Sequence, residues 1–177
     1  MQDYTEFAKK NGVILEDEGP CQFCEAKFSR GIHECINVFN VGFESIDFNT
    51  SENHIFRFLI VDAHALQHPE IHGRWSNHFH LTRLLLIFEH SIKWSYNLSP
   101  KLSDVLNQYK NQHPNEILAP PSIGDRGRIT SFDIQASIND PKTCKELIFK
   151  WAKEVYESWS NHHSIVQKIG TRFLEES

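Results

Sequence analysis

Apolar residues recur along most of the chain at the three-to-four-residue spacing of an amphipathic α-helix. The spacing is strongest in the middle of the sequence and in the long stretch before its end. Weaker versions occur near the start. The pattern therefore predicts an all-α protein. The predicted helical segments are residues 3–12, 35–46, 51–68, 77–94, 99–111 and 140–169.

Several helix ends carry recognisable signals. Ser51 has the residue type of an N-cap, and the helix that follows should end at His68, because the residue before a proline avoids the helical region. Thr130 and Asp133 have the spacing of a capping box. Asp140 precedes a proline, which favours the start of a helix at that point.

Residues 112–129 form the longest irregular segment, in which prolines and glycines interrupt any period. The segment is long enough to predict a functional loop rather than a plain connector. Neither a repeat nor a low-complexity linker divides the sequence. We therefore expect residues 1–177 to form a single helical domain, a helical bundle that carries a cysteine knuckle at residues 19–35.

Charge and composition exclude some classes of protein. The net charge is −5, with acidic and basic residues interspersed, so we expect no nucleic-acid partner. The sequence has no apolar signal core and no membrane-spanning run, which favours a cytoplasmic location and no membrane partner. The partner is then an unidentified small molecule or protein, and the oligomeric state stays open.

Three of the four cysteines lie between residues 21 and 35. Cys21 and Cys24 form a CxxC motif, which supplies two thiolates from one tight turn, and Cys35 can supply a third. In a reducing compartment this motif is more typical of metal binding than of a disulfide. Zinc is the usual metal for such ligands. Buried core thiols are the alternative interpretation.

A tetrahedral zinc site needs a fourth ligand, and helix geometry favours His68. If the helix that begins at Cys35 is followed by an antiparallel one, His68 returns to the level of Cys35, whereas His54 lies at the opposite end. The next helix begins near the same level and brings His80 close, so His80 is an alternative fourth ligand. His33 is a further one, although it lies close to Cys35 in sequence.

A second group of polar residues falls on apolar helix faces. Asp62 lies on the apolar stripe of its helix, so its carboxylate requires an arginine, histidine, backbone or metal partner. His80, His162 and His163 are the other members, and with His68 they suggest a polar pocket inside the bundle. The four residues Asp62, His80, His162 and His163 are therefore candidate catalytic residues. A hydrogen-bonded structural network is the alternative.

Four stretches together resemble a bacterial family described as domain of unknown function 5946. They are HIFRFLIVDAHALQHP, HLTRLLLIFE, APPSIGDRGRITSFDI and WAKEVYESWSNHHSIV. The resemblance covers nearly the whole chain and implies a small cytoplasmic bacterial protein with no assigned activity. Two positions depart from the family pattern. Here His64 replaces the usual tyrosine, so a metal-binding HxxxH pair of His64 and His68 is disfavoured and His68 alone is favoured as the ligand. Glu25 replaces the glycine that usually follows the CxxC motif.

Two functions fit these residues. In the first, a closed zinc site pins the N-terminal segment to the bundle, and the protein is a binding or adaptor module. In the second, histidines of the bundle core hold a metal with an open position, and the protein is a metal-dependent hydrolase or transferase that resembles the DinB-type bundles in layout. We favour the first, because sites rich in thiolates are usually closed.

Overall fold

The computed structural model describes residues 4–41, 46–50 and 53–176. Within these residues the chain forms eight α-helices and two short 3₁₀ turns, Pro69–Ile71 and Ser160–His162, and it contains no β-strand. The all-α prediction is therefore confirmed for the described residues. None of the helices found there has the length and apolarity needed to cross a membrane. The helices are α1 Tyr4–Lys10, α2 Gly31–Val41, α3 His54–Gln67, α4 Ser76–Phe88, α5 Leu98–Gln112, α6 Ser131–Ala136, α7 Pro141–Ser158 and α8 His163–Glu175.

The main hydrophobic core lies between α3, α4, α5, α7 and α8. α3 packs against both α4 and α7, while α8 packs against α4 and α5. Leu84 and Trp151 are fully buried in this core, and burial of such side chains stabilises the fold by about 1.5–3 kcal/mol each. α4 and α8 approach closely at Gly170, where an added Cβ would lie 3.0 Å from a methyl carbon of Leu85.

A second, smaller core lies under the N-terminal segment, where Cys21, Phe23, Ile32 and Ile71 are buried together. α1 packs against the Pro69–Ile71 turn, and α2 packs against α6. These contacts place the cysteine segment against the C-terminal end of α3. The N-terminal residues therefore surround the point where α3 stops.

The turn into α2 depends on a glycine. Gly31 has φ 52°, and its backbone N–H donates to the carbonyl of Gly19 at 2.8 Å. A Cβ at this position would lie 2.2 Å from the carbonyl oxygen of Glu16. Any other residue would therefore force the backbone apart, because both the conformation and the space suit only glycine.

Several predicted helix ends agree with the structure, but α4 ends at Phe88 instead of residue 94, and α2 begins at Gly31 instead of Cys35. α3 ends at Gln67 with His68 as its C-cap, as the following proline predicted. The capping box at the start of α6 is present, with the Asp133 carboxylate accepting from the Thr130 N–H at 2.8 Å. Asp140 caps α7 as expected. The predicted cap Ser51 lies outside the described residues, as do residues 42–45 of the predicted helix 35–46.

The prediction of one continuous helix over residues 140–169 is wrong, because a 3₁₀ turn separates α7 from α8. Trp159 lies at the break, and its indole N–H donates to the carbonyl of Leu66 at 3.3 Å. The ring of His163 donates to the carbonyl of Tyr156 at 3.0 Å, which takes up an acceptor at the end of α7. The apolar spacing continues into α8, so periodicity alone did not reveal the break.

The irregular segment that precedes α6 is anchored to the end of α3. Gln67, fully buried, donates to the carbonyls of Arg126 and Ile129 at 3.1 and 3.0 Å and accepts from the Trp151 indole at 2.9 Å. Arg126 in turn donates to the Gln67 carbonyl at 3.1 Å and forms an ion pair with Glu70. The loop is therefore fixed next to the C-terminal end of α3, beside the cysteine segment.

Candidate metal centre

Three thiols and one imidazole converge where the cysteine segment meets the end of α3. The sulfurs of Cys21, Cys24 and Cys35 and a ring nitrogen of His68 all lie within 4.8 Å of one another. All four residues are buried, and Cys24 is the most exposed of them at 8%. The structure thus brings together the four residues that the sequence predicted as metal ligands. Together they could hold a metal ion.

Three of the distances between the ligand atoms are close to those of a tetrahedral metal site. With ordinary zinc bond lengths, a tetrahedron places two sulfurs about 3.8 Å apart and a sulfur and a nitrogen about 3.6 Å apart. Here Cys24 Sγ lies 3.8 Å from Cys35 Sγ. The Nε2 atom of His68 lies 3.4 Å from the sulfurs of both Cys21 and Cys35. These three distances are compatible with a tetrahedrally coordinated metal ion.

The CxxC turn has a tight backbone. The N–H of Glu25 donates to the carbonyl of Cys21 at 2.8 Å, and the N–H of Cys21 donates to the carbonyl of Ala26 at 3.0 Å. Glu25 has φ 58°, the left-handed conformation that glycine adopts most easily. Glu25 therefore adopts a conformation that is usual for glycine, and the turn brings the sulfurs of Cys21 and Cys24 close together.

His68 is held in the orientation of a metal ligand. Its Nδ1–H donates to the carbonyl of His64, one helical turn earlier, at 2.6 Å. This bond fixes a proton on Nδ1 and directs Nε2 towards the thiols. The ring of His64 stacks on that of His68 with centroids 4.1 Å apart and on Phe39 with the same separation. His68 therefore has its backbone partner and its packing in place.

Electrostatics at the site favour a cation. Burial lowers the pKa of His68, but the charge of Cys35 and hydrogen bonds with Cys21 and Cys35 outweigh it and raise that pKa to about 10. Hydrogen bonds from Cys24 and Cys35 hold the pKa of Cys21 below its ordinary value, while the contact with Cys21 raises the pKa of Cys24. A divalent ion binds neutral imidazole and thiolates, so it would replace the protons shared by this cluster.

The other histidines weighed as ligands have different partners. His33 bonds the Tyr4 hydroxyl and the Asp17 carboxylate, both at 2.6 Å. His54 lies at the start of α3 and contacts Tyr96. His64 is buried, with its Nε2 3.8 Å from Cys35 Sγ, and it packs beside the four-residue group without belonging to it. His68 is therefore the best-placed fourth ligand.

Asp62 and His80 form a separate, buried ion-pair network. The carboxylate of Asp62 is fully buried and accepts from His80 Nδ1 at 2.6 Å and from Arg83 Nε at 2.8 Å. A second guanidinium nitrogen of Arg83 bonds the same carboxylate at 2.5 Å. The guanidinium lies over the rings of Phe58 and Phe79, each at 5.0 Å from the centroid. The buried Asp62 carboxylate therefore has both a histidine and an arginine partner, two of the partner types that its position on an apolar stripe predicted.

His162 and His163 do not join this network. His162 donates to the carbonyl of Ala119 at 2.7 Å, and His163 stacks on Tyr156 and bonds its carbonyl. These contacts hold the irregular loop and the α7–α8 break. In the described part of the chain, neither histidine contacts Asp62 or His80, so the shared pocket that the sequence suggested is not observed. A catalytic role for the four residues stays a prediction.

Sequence reasoning missed two contributors to these sites. Arg83 was not identified as the main partner of Asp62, although it lies three residues after His80 on the same helix, a spacing that places both on one face. The carbonyl of His64 was also missed, although its place four residues before His68 is a usable signal.

These observations define an all-helical protein with a buried group of three cysteines and one histidine. A family model described as "Family of unknown function (DUF5946)" matches residues 19–160. The chain belongs to this family, and the match includes all four residues of the cysteine–histidine group. No curated protein and no solved structure matches the chain.

Proposed function

We propose that the protein binds one zinc ion through Cys21, Cys24, Cys35 and His68, and that this closed site pins the N-terminal segment onto the helices. The protein then acts as a binding or adaptor module rather than as an enzyme at this metal. A reducing compartment such as the cytoplasm would keep the thiols available as ligands. The observation that carries the proposal is the convergence of four buried ligand atoms within 4.8 Å.

Zinc is favoured over other metals by the chemistry of the ligands. Three thiolates and an imidazole in a tetrahedral arrangement are typical of structural zinc sites. Three of the four ligands, Cys21, Cys35 and His68, are also almost completely buried. The sulfur of Cys35 lies 3.6 Å from the Ser131 hydroxyl, and Phe23 packs edge-on against His68. Four protein ligands in such surroundings leave no coordination position for a substrate.

The alternative hydrolase or transferase has less support. It requires a second metal or an acid–base group formed by His80 with His162 or His163, but the described contacts separate these residues. In the described part of the chain, only the Cys21, Cys24, Cys35 and His68 group meets the geometry of a metal site. The structural role of zinc is therefore the better interpretation.

Metal analysis of the untagged protein tests the proposal. We expect close to one zinc per chain in the wild type and loss of that zinc in Cys21→Ser and in His68→Ala. Cys144→Ser is the matched control, because Cys144 is also a buried free cysteine but lies in the main core. His54→Ala is the control for histidine removal. A metal-free wild-type protein that is fully folded would overturn the proposal.

The closed character of the site has its own test. Cobalt(II) in place of zinc gives a visible spectrum that reports a tetrahedral thiolate site. We expect added cyanide or imidazole to leave this spectrum unchanged, because no coordination position is open. A spectral change at millimolar ligand, with the cobalt still bound, would favour an open site and the enzyme alternative.

A further inference from the structure

A cavity of about 180 Å³ lies beside the cysteine–histidine group, between α2, the second half of α3 and the start of α4. Its walls are mostly apolar and include Ile36, Phe39, Val61 and Ile71. Three histidines, His64, His72 and His80, also line it, together with Tyr4, Asn40 and Ala65. None of the three histidines is one of the proposed zinc ligands.

Two of these histidines offer unused hydrogen-bonding atoms. Nε2 of His72 is buried, and no partner for it exists among the described residues. His80 gives its Nδ1 to Asp62 at 2.6 Å, which leaves Nε2 as the polar atom of the ring that a ligand can reach. The two rings lie 6.4 Å apart, centroid to centroid. A buried nitrogen without a partner is costly, so a ligand that bonds it gains affinity.

Asp62 and Arg83 fix the orientation of His80. The carboxylate holds the ring through Nδ1, and the guanidinium holds the carboxylate through two bonds. In the tautomer with its proton on Nδ1, the ring presents Nε2 as an acceptor. Burial lowers the pKa of His72 to about 3, so the His72 ring is neutral. The cavity thus combines an apolar wall with two imidazole nitrogens that can bond a hydroxyl group.

We propose that this cavity is a binding site for a small molecule of about one aromatic ring that carries a hydroxyl group. The ring would pack against Phe39, Ile36 and Val61. The hydroxyl would lie between the two imidazoles, donating to Nε2 of His80 and accepting from Nε2 of His72. The size follows from the volume, since an apolar cavity of about 150 Å³ accommodates benzene. This site goes beyond the zinc proposal and uses none of its ligands.

Phenol and toluene are the probes that test the site, because they have nearly the same shape and differ in the hydroxyl. Titration calorimetry on the zinc-replete, full-length protein should show phenol binding at least tenfold more tightly than toluene. In a ¹⁵N spectrum of the imidazoles, the Nε2 signal of His80 should shift as phenol is added. Zinc content is measured on the same samples, so failure of this proposal is distinguishable from failure of the zinc proposal.

Two variants decide what causes binding. His80→Ala should remove the preference for phenol over toluene while Arg83 still pairs with Asp62, so the fold is retained. Val61→Phe should fill the cavity and abolish binding of both probes, with His80 intact. Equal affinities for the two probes, no binding of either, or an unchanged preference in His80→Ala would each overturn the proposal.

Discussion

Replacing Arg83 with methionine isolates the role of the buried Asp62 network. Methionine keeps much of the length and apolar character of the arginine stem, so the aromatic contacts with Phe58 and Phe79 are partly retained. The substitution removes both guanidinium bonds and leaves the Asp62 carboxylate, which is fully buried, with His80 as its remaining side-chain partner. The buried negative charge then has no fixed positive partner.

We expect this change to lower the free energy of unfolding by about 3–5 kcal/mol, the usual cost of removing one member of a buried ion pair. For a chain of this length, that loss corresponds to a fall of about 6–20 °C in the midpoint of thermal unfolding. Urea unfolding followed by circular dichroism measures the free energy. Zinc content should stay the same, because Arg83 lies outside the predicted zinc ligands.

The double variant Asp62→Leu/Arg83→Met is the control. Replacing both members of a buried ion pair with apolar residues is often neutral, so most of the lost stability should return. His80→Ala should cost less, about 1–3 kcal/mol, because Arg83 still satisfies the carboxylate. A loss below about 1 kcal/mol in Arg83→Met would refute the reasoning, as would a double variant no more stable than the single one.

Three further predictions concern single positions. Gly31→Ala should lower the free energy of unfolding, measured by urea titration, by at least about 2 kcal/mol, because its positive φ and the nearby Glu16 carbonyl leave no room for a side chain. Gly73→Ala is the control and should change that free energy little, because an added Cβ there makes only ordinary contacts. Glu25→Gly should raise the free energy of unfolding by up to about 1 kcal/mol, with a matching rise in the thermal midpoint. The reason is that the φ of 58° at this position is strained for glutamate but not for glycine. Burial lowers the pKa of His78 from 6.5 to about 4, so the unfolded chain takes up the proton first and stability falls as pH drops from about 6.5 to 4. The slope of the unfolding free energy against pH reaches about 1.4 kcal/mol per pH unit for one such group, and His78→Phe should reduce it in urea titrations at several pH values. An unchanged slope would contradict the assignment of this pH dependence to His78.

The helical character and the cysteines of the candidate metal site could be anticipated, because apolar periodicity and ligand spacing are local signals. Ligand spacing identified the cysteines, and the proline after His68 fixed the end of α3. The prediction of His68 assumed that Cys35 begins its helix, whereas α2 begins at Gly31 and packs mainly against α6. The residue was correctly placed even so, because what matters is that α3 ends beside the cysteine segment.

The long-range bonds could not be anticipated from the sequence. The break between α7 and α8 depends on the bond from the Trp159 indole to Leu66, residues that are distant in sequence. Because the break redirects the chain, His162 and His163 bond carbonyls of the loop and of α7 instead of facing Asp62. The cavity at His72 and His80 likewise requires packing of three separate elements.

X-ray absorption at the zinc edge tests the central claim most directly, because it counts the ligand types around the metal. The account predicts close to one zinc per purified chain, with three sulfur neighbours at about 2.3 Å and one nitrogen neighbour at about 2.0–2.1 Å. In His68→Ala the nitrogen should be lost or replaced by a water oxygen while the sulfurs remain. A spectrum with fewer than three sulfurs, or one that His68→Ala leaves unchanged, would contradict the proposed site.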